Sequence, residues 1–259
     1  MKVQNQLSTI FRSLCLLIGL SLLMALFTSL QAQTGQKAPG FAVLELFTSE
    51  GCSSCPPAEN LLAKIHAQTK GQPVYVLAYH VDYWDRAGWK DRFSQHSFSL
   101  RQYAYSSSLS AQVYTPQLVI NGLTQGIGSE EPFVRDAIAK ALAEKAKATM
   151  EMTLDKATAG AATVTYAVQG QVSGTRLEIA LLQKQAVSQV RGGENKGRSL
   201  IHKGIVRALE TYELSGHDKG TVRIALPAGF NKDAYDVIGF LQLPGSGAII
   251  AAAPVLIRD

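Results

Sequence analysis

Charge is scarce in this chain: Asp, Glu, Lys and Arg make up only 17% of its 259 residues. A disordered chain needs high charge and low hydrophobicity, and 46% of these residues are hydrophobic, so disorder is excluded. Collagen-like and coiled-coil compositions are absent as well. The charge balance is 25 Lys+Arg against 20 Asp+Glu, a net of +5, and no basic run stands out. Nothing in that balance points to a nucleic-acid partner. Cysteine is rarer still, with three in all: Cys15, Cys52 and Cys55. A four-cysteine zinc site is therefore excluded. Past the first thirty residues, no extended apolar run suggests a membrane span.

The amino terminus has its own pattern. Residues 1–12 carry Lys2 and Arg12 and no acid, and Leu14 to Leu30 is almost wholly apolar. Small and polar residues follow, the order of a secretory signal peptide over 1–32 cut after Ala32. Because the apolar run approaches bilayer length, retention as an anchor is the alternative. Cys15 lacks the preceding context of a lipoprotein site. Cleavage removes two positive charges and no negative ones, leaving 23 against 20, or +3. The expected product is periplasmic or secreted, has no stable membrane span, and keeps Cys52 and Cys55 as its two cysteines.

The remaining chain divides by periodicity. Residues 33–40 form a flexible lead-in, and Phe41 to Thr48 reads as a strand that runs into Cys52-Ser53-Ser54-Cys55. Leu61, Leu62 and Ile65 mark one face of a following helix, which Gly71-Gln72-Pro73 ends. Val74 to Val81 reads as a second buried strand, giving a βαβ unit with a parallel pair. An aromatic and polar segment over 82–112 includes a helix around Phe98, Arg101, Gln102 and Tyr105, capped by Ser97. Leu118 to Ile120 and Leu123 to Ile127 flank Asn121-Gly122, a strong hairpin signal. An Ala-rich helix from Phe133 to Leu142, opened by Ser129, completes an α/β domain over 41–147. From about Met150 the pattern alternates, as in Val164, Tyr166 and Val168, then Leu177, Ile179 and Leu181. Regular turns separate these runs, so residues 148–259 are expected to form an all-β antiparallel sandwich-like domain.

The chemistry is expected at Cys52 and Cys55. A helix N-terminus presents free N–H groups and a partial positive charge, which favour thiolate over thiol. Cys52 is assigned as an accessible attacking thiolate, and Cys55 as the residue that resolves a mixed disulfide. The pair serves as a redox-active disulfide with no other cofactor. Its partners would be protein thiols or disulfides together with a redox partner. Two other uses stay open: an inert structural bridge, or a copper or zinc site formed by Cys52, Cys55 and His80. The latter would make the protein a metal-binding protein or metallochaperone, and the former a protein-binding adaptor. Thr115-Pro116 precedes a strand, and its peptide bond is either cis or an ordinary trans bond at a strand start. A cis bond would free the Thr115 backbone to pair with a substrate peptide. His80 and Asp82 leave the strand edge that also carries the Cys52 turn. They either approach the dithiol or bond each other. Tyr114 and Trp84 are further candidates for substrate contact. Arg191 to Arg198 reads as a mobile loop, with a cleft facing the dithiol as the alternative.

The order of strand, Cys-x-x-Cys, helix, strand, helix, Thr-Pro, hairpin and helix resembles the thioredoxin fold over about residues 41–145. The strings Leu44 to Pro57, His80 to Asp85, Tyr114 to Gln117 and Gly193-Glu194-Asn195 resemble a secreted bacterial thioredoxin-like family of unknown function. That resemblance implies a thioredoxin-like domain with an inserted 82–112 segment, followed by the sandwich. It also implies a cis-proline at Pro116 beside the dithiol. Thioredoxins carry a buried acid six residues before the first cysteine. Here that position is Leu46, and Glu45, one step back, is the candidate proton acceptor for Cys55.

Overall fold

The computed structural model describes residues 39–158 and 160–257. The expected signal peptide, Cys15 and most of the 33–40 lead-in lie outside the described residues. Strand β1, Ala42–Thr48, is buried along its whole length. It pairs in parallel with β2, Val74–His80, as the βαβ pattern requires. Helix α1 between them spans Cys55–Gln68 and buries Leu61, Leu62 and Ile65. Pro56 and Pro57 sit in its first turn, where the backbone N–H groups have no helical acceptor, so neither proline breaks it.

A short 3-10 helix, Asp82–Ala87, leads to helix α2, His96–Ser108. Strands β3, Gln117–Ile120, and β4, Thr124–Ile127, form the predicted hairpin. Asn121 and Gly122 both have positive φ, 49° and 65°, which is what the Asn-Gly pair supplies in a two-residue turn. The Asn121 side chain extends the sheet, accepting from Val43 N at 2.7 Å and donating to Phe41 O at 2.9 Å. Helix α3 spans Glu131–Ala143. Seven longer strands follow: β5 Ala148–Thr158, β6 Ala161–Gly170, β7 Arg176–Gln189, β8 Ser199–Glu213, β9 Lys219–Ala225, β10 Tyr235–Gln242 and β11 Ile249–Ile257.

The expected architecture, an α/β thioredoxin-like domain followed by a separate antiparallel sandwich, is not what forms. The described residues build one mixed sheet of 11 strands in the order β4-β3-β1-β2-β8-β7-β10-β11-β5-β6-β9. The join is a parallel contact between β2 and β8, with Ala78 opposite Ile205. It covers the edge of β2 that would otherwise lie open. A shared core holds it in place. Phe47, Tyr79 and Phe98 pack in one cluster with Leu182, Val206 and Phe240. The opposite face of β1 and β2 packs Leu44, Leu46 and Val74 against α1 and α3. A third cluster fills the space among β5, β6, β7, β9, β10 and β11.

A buried ionic network reinforces the join. Glu45, fully buried on β1, accepts from Arg101 Nε at 2.6 Å and from the Tyr105 hydroxyl. Arg101 also donates to Gln242 Oε1 on β10 at 3.1 Å. Replacing Arg101 with Met would leave the Glu45 carboxylate buried with its cation removed. A loss of about 3–5 kcal/mol is expected from breaking one side of such a pair, read as a lowered urea midpoint at unchanged m-value.

Candidate functional site

After β1 the chain turns through Ser49 to Ser54 before α1 begins. Within the turn, Cys52 N donates to Ser49 O at 3.1 Å and Cys55 N to Cys52 O at 3.3 Å. Cys52 and Cys55 are joined in a disulfide, with Cα atoms 5.4 Å apart. Cys55 is the first residue of α1. The expected accessible thiolate is not found, for Cys52 is 1% exposed and Cys55 fully buried.

Three segments close over the sulfurs. The first holds the cis Thr115–Pro116 peptide bond. Ser54 Oγ donates to Thr115 O at 3.5 Å and lies 3.3 Å from Cys52 Sγ, so it bridges the disulfide and the proline loop. The second is the 3-10 helix, from which Trp84 Nε1 donates to Thr115 Oγ1 at 2.7 Å. The third is the β7–β8 loop. Glu194 Oε2 accepts from Ser53 N at 2.9 Å and from Ser53 Oγ at 2.7 Å. These bonds hold the Glu194 carboxyl below the usual carboxylate range. Asn195, fully buried, donates through Nδ2 to Glu50 O at 2.9 Å and to Cys52 O at 2.8 Å. The approach needs glycine. A Cβ on Gly192 would stand 2.3 Å from Gly88 O, and Gly193 has a φ of 66°.

Beneath the turn lies a buried charged cluster. Asp91 Oδ2 accepts from Glu50 N at 2.8 Å and lies 2.6 Å from His80 Nδ1. Burial would raise the Asp91 carboxyl, but His80 and the N–H groups of Glu50 and Phe93 hold it below the usual range. His202 on β8 places Nδ1 2.6 Å from Glu59 Oε2 and Nε2 3.5 Å from Glu50 Oε1. Burial opposes its charge, yet the two carboxylates push its pKa up to about 10. Burial likewise works against the Glu50 carboxylate, and contacts with His202 and Trp89 more than offset it, lowering its pKa. Trp89 Nε1 donates to Glu50 Oε2 at 2.6 Å.

The structure distributes the remaining predicted residues. Thr115, Pro116 and Trp84 meet the dithiol turn. Tyr114 lies one step away, its hydroxyl donating to Gln125 Oε1 at 2.7 Å and its carbonyl accepting from Gln102. Glu45 points instead toward α2 and is held by Arg101 and Tyr105. The β1 alternation puts it on the face of Val43 and Phe47, opposite the face that packs on α1. His80 and Asp82 do not bond each other. His80 is held by Asp91, whereas Asp82 accepts from Ser99 Oγ at 2.5 Å and lies 3.0 Å from His96 Nδ1. Among the described residues, the grouping able to hold a cation is Glu59, His80 and His202, and it includes neither cysteine. Glu59, Asp91 and His202 went unnoticed in the sequence, since no local spacing links them. Glu194 and Asn195 were legible only through the family-like Gly193-Glu194-Asn195 string.

Removing the Asn195 amide leaves the buried Glu50 carbonyl without its donor and takes from Cys52 O the shorter of its two. Asn195→Ala should destabilise the fold by about 1–3 kcal/mol, the cost of stranding a buried acceptor. Chemical denaturation of the oxidised protein measures it.

Comparison with known proteins adds a family. Residues 43–242 match the family described as "Protein of unknown function (DUF1223)". A crystal structure of a protein from Agrobacterium tumefaciens is similar at a TM-score of 0.64 and 27% identity, covering 86% of this chain and 96% of that one. HBP35 of Porphyromonas gingivalis is similar in fold, with a TM-score of 0.63 at 17% identity, covering 86% of this chain and 77% of that one. No curated protein matches the chain. With the match running through the cysteine turn, the hairpin and the β7–β8 loop, the chain belongs to the DUF1223 family of proteins of unknown function.

Proposed function

We propose that this protein is a thiol–disulfide oxidoreductase that works outside the cytoplasm, in the periplasm or after secretion, on protein thiols or disulfides. The observation that carries the proposal is the Cys52–Cys55 disulfide at the start of α1, bridged by Ser54 to the cis Thr115–Pro116 loop. The apolar amino-terminal segment supports export, and an oxidising compartment is where such a bridge persists. In the oxidising direction, a substrate thiolate attacks Cys52 Sγ. The Cys52–Cys55 bond breaks, and Cys55 leaves as a thiolate. A second substrate thiolate then attacks the mixed disulfide and releases Cys52. The substrate loses two electrons as its own disulfide forms, and the Cys52/Cys55 pair gains them. The reducing direction is the same path reversed, with Cys55 resolving the mixed disulfide.

Exchange requires the β7–β8 loop to lift, because the sulfurs are closed off as found. The Ser53–Glu194 bonds that fasten its rim are exposed, so water can replace them. Burial of both cysteines favours a second reading, a structural bridge that fixes the turn, as in an adaptor protein.

Glu194→Ala separates the two. For an exchange centre, its disulfide should be reduced by dithiothreitol several-fold faster than in the parent, at unchanged thermal stability. Cys55→Ser should trap a mixed disulfide when its free Cys52 thiolate attacks a disulfide-bonded peptide, since no second thiol remains in the turn to resolve it. A reduction potential below about −300 mV, with no trapped adduct, would establish the structural bridge instead.

A further inference from the structure

The two buried histidines beneath the dithiol turn share an arrangement that the exchange chemistry does not use. Each has Nδ1 on a carboxylate: His80 on Asp91 and His202 on Glu59, both at 2.6 Å. An ionised carboxylate only accepts, so each Nδ1 carries the hydrogen. That leaves Nε2 as the coordinating nitrogen of the neutral ring. Both Nε2 atoms are buried and make no hydrogen bond: that of His80 has no partner among the described residues, and that of His202 faces Glu50 Oε1 across 3.5 Å in an ion-pair contact. The two rings lie 5.0 Å apart between centroids. A histidine that donates one nitrogen to a carboxylate while the other stays bare is the orientation seen in metal-ligating histidines.

We propose that His80 and His202, with Glu50 supplying carboxylate oxygen and with Asp91 and Glu59 orienting the two rings through Nδ1, form a binding site for a divalent transition metal ion, zinc fitting the donor set best. One nitrogen of each ring and a carboxylate oxygen of Glu59 all lie within 4.8 Å of one another, so the two histidines are already gathered around that carboxylate. Zinc bonds of about 2.0–2.2 Å place tetrahedral donors about 3.4 Å apart, so the cluster draws in by roughly an ångström on loading. Glu50 Oε1 lies 3.5 Å from His202 Nε2, within reach of the same ion.

Charge balance is unchanged by such an ion. Glu50, Glu59 and Asp91 bring three negative charges into one buried region, and two imidazoliums can return at most two positive ones. A divalent ion between two neutral imidazoles leaves the same single negative charge and gives the bare nitrogens a partner. Access exists on the α1 side, where a cavity of about 230 Å³ lined by Pro56, Glu59, Asn60 and Ile201 meets the cluster at Glu59. The site stands apart from the exchange chemistry, since its donors are nitrogen and oxygen.

The test uses the purified protein, stripped with a chelator and titrated with Zn²⁺ against a chromophoric competitor, and with Co²⁺ for its spectrum. The expected result is one ion per chain. The Co²⁺ spectrum should have no thiolate charge-transfer band, and Zn²⁺ should raise the melting temperature. His80→Ala and His202→Ala should each weaken binding by about 100-fold or more. Asp91→Asn, which leaves the ligands in place, should weaken it about 10–100-fold, as loss of an orienting partner does. If an alanine variant fails to fold, Asp91→Asn and the Co²⁺ spectrum still decide. The Cys52→Ser/Cys55→Ser double variant should bind as the parent does, whatever becomes of exchange activity. No stoichiometric binding, binding indifferent to His80, His202 and Asp91, or binding lost with the cysteines would each overturn the proposal.

Discussion

One carboxamide holds the functional end of this molecule together. Asn195 reaches from the β7–β8 loop and caps the carbonyls of Glu50 and Cys52, both inside the turn that carries the disulfide. The turn is neither helix nor strand, and although Cys52 O also accepts from Cys55 N, the Glu50 carbonyl has no local donor. In a buried setting it needs one from elsewhere. A distant segment supplies it, and the position of that segment depends on β8 lying beside β2. The disulfide turn, the loop over it and the sheet that joins the halves are therefore one construction.

The same dependence separates what could be read from the sequence from what could not. The Asn121-Gly122 hairpin, the strand before Cys52 and the apolar face of α1 all follow from local rules, and all appear. Helix α1 begins at Cys55 despite Pro56-Pro57, because prolines in a first turn displace no hydrogen bond. The architecture was illegible for a physical reason. Alternation in β7 and β8 reports that each strand has two unlike faces, but it does not report which strand lies beside it. The Ala78–Ile205 contact that fuses the sheet leaves no periodic trace. Glu45 shows the same limit: its place in the strand could be read, but its partner, Arg101, lies on another element. At the site, Cys52, Cys55 and Pro116 were visible as motifs, whereas His202 and Glu59 became functional candidates only once β8 was placed against α1.

Two buried ionic assemblies flank β1 and β2, one on each face. On the α2 side, Glu45 and Arg101 are closed by a tyrosine and a glutamine, and every charge there has a partner. On the α1 side, three carboxylates meet two histidines, and the outer nitrogen of His80 has no partner among the described residues. Burial costs both assemblies free energy, and only the first is fully compensated by its own bonds. Incomplete compensation beside a disulfide turn is the pattern of a region kept for chemistry rather than for stability.

The fused sheet also governs how the protein can be divided. A fragment ending near residue 147 would keep the disulfide turn but lose β8, and with it the cover on the flank of β2. Bare backbone donors and acceptors would then face solvent beside the stripped rings of Tyr79 and Phe98. Such a piece would seek another chain to complete it. The amino-terminal half is thus no stand-alone cassette, and the two halves complete each other within one sheet.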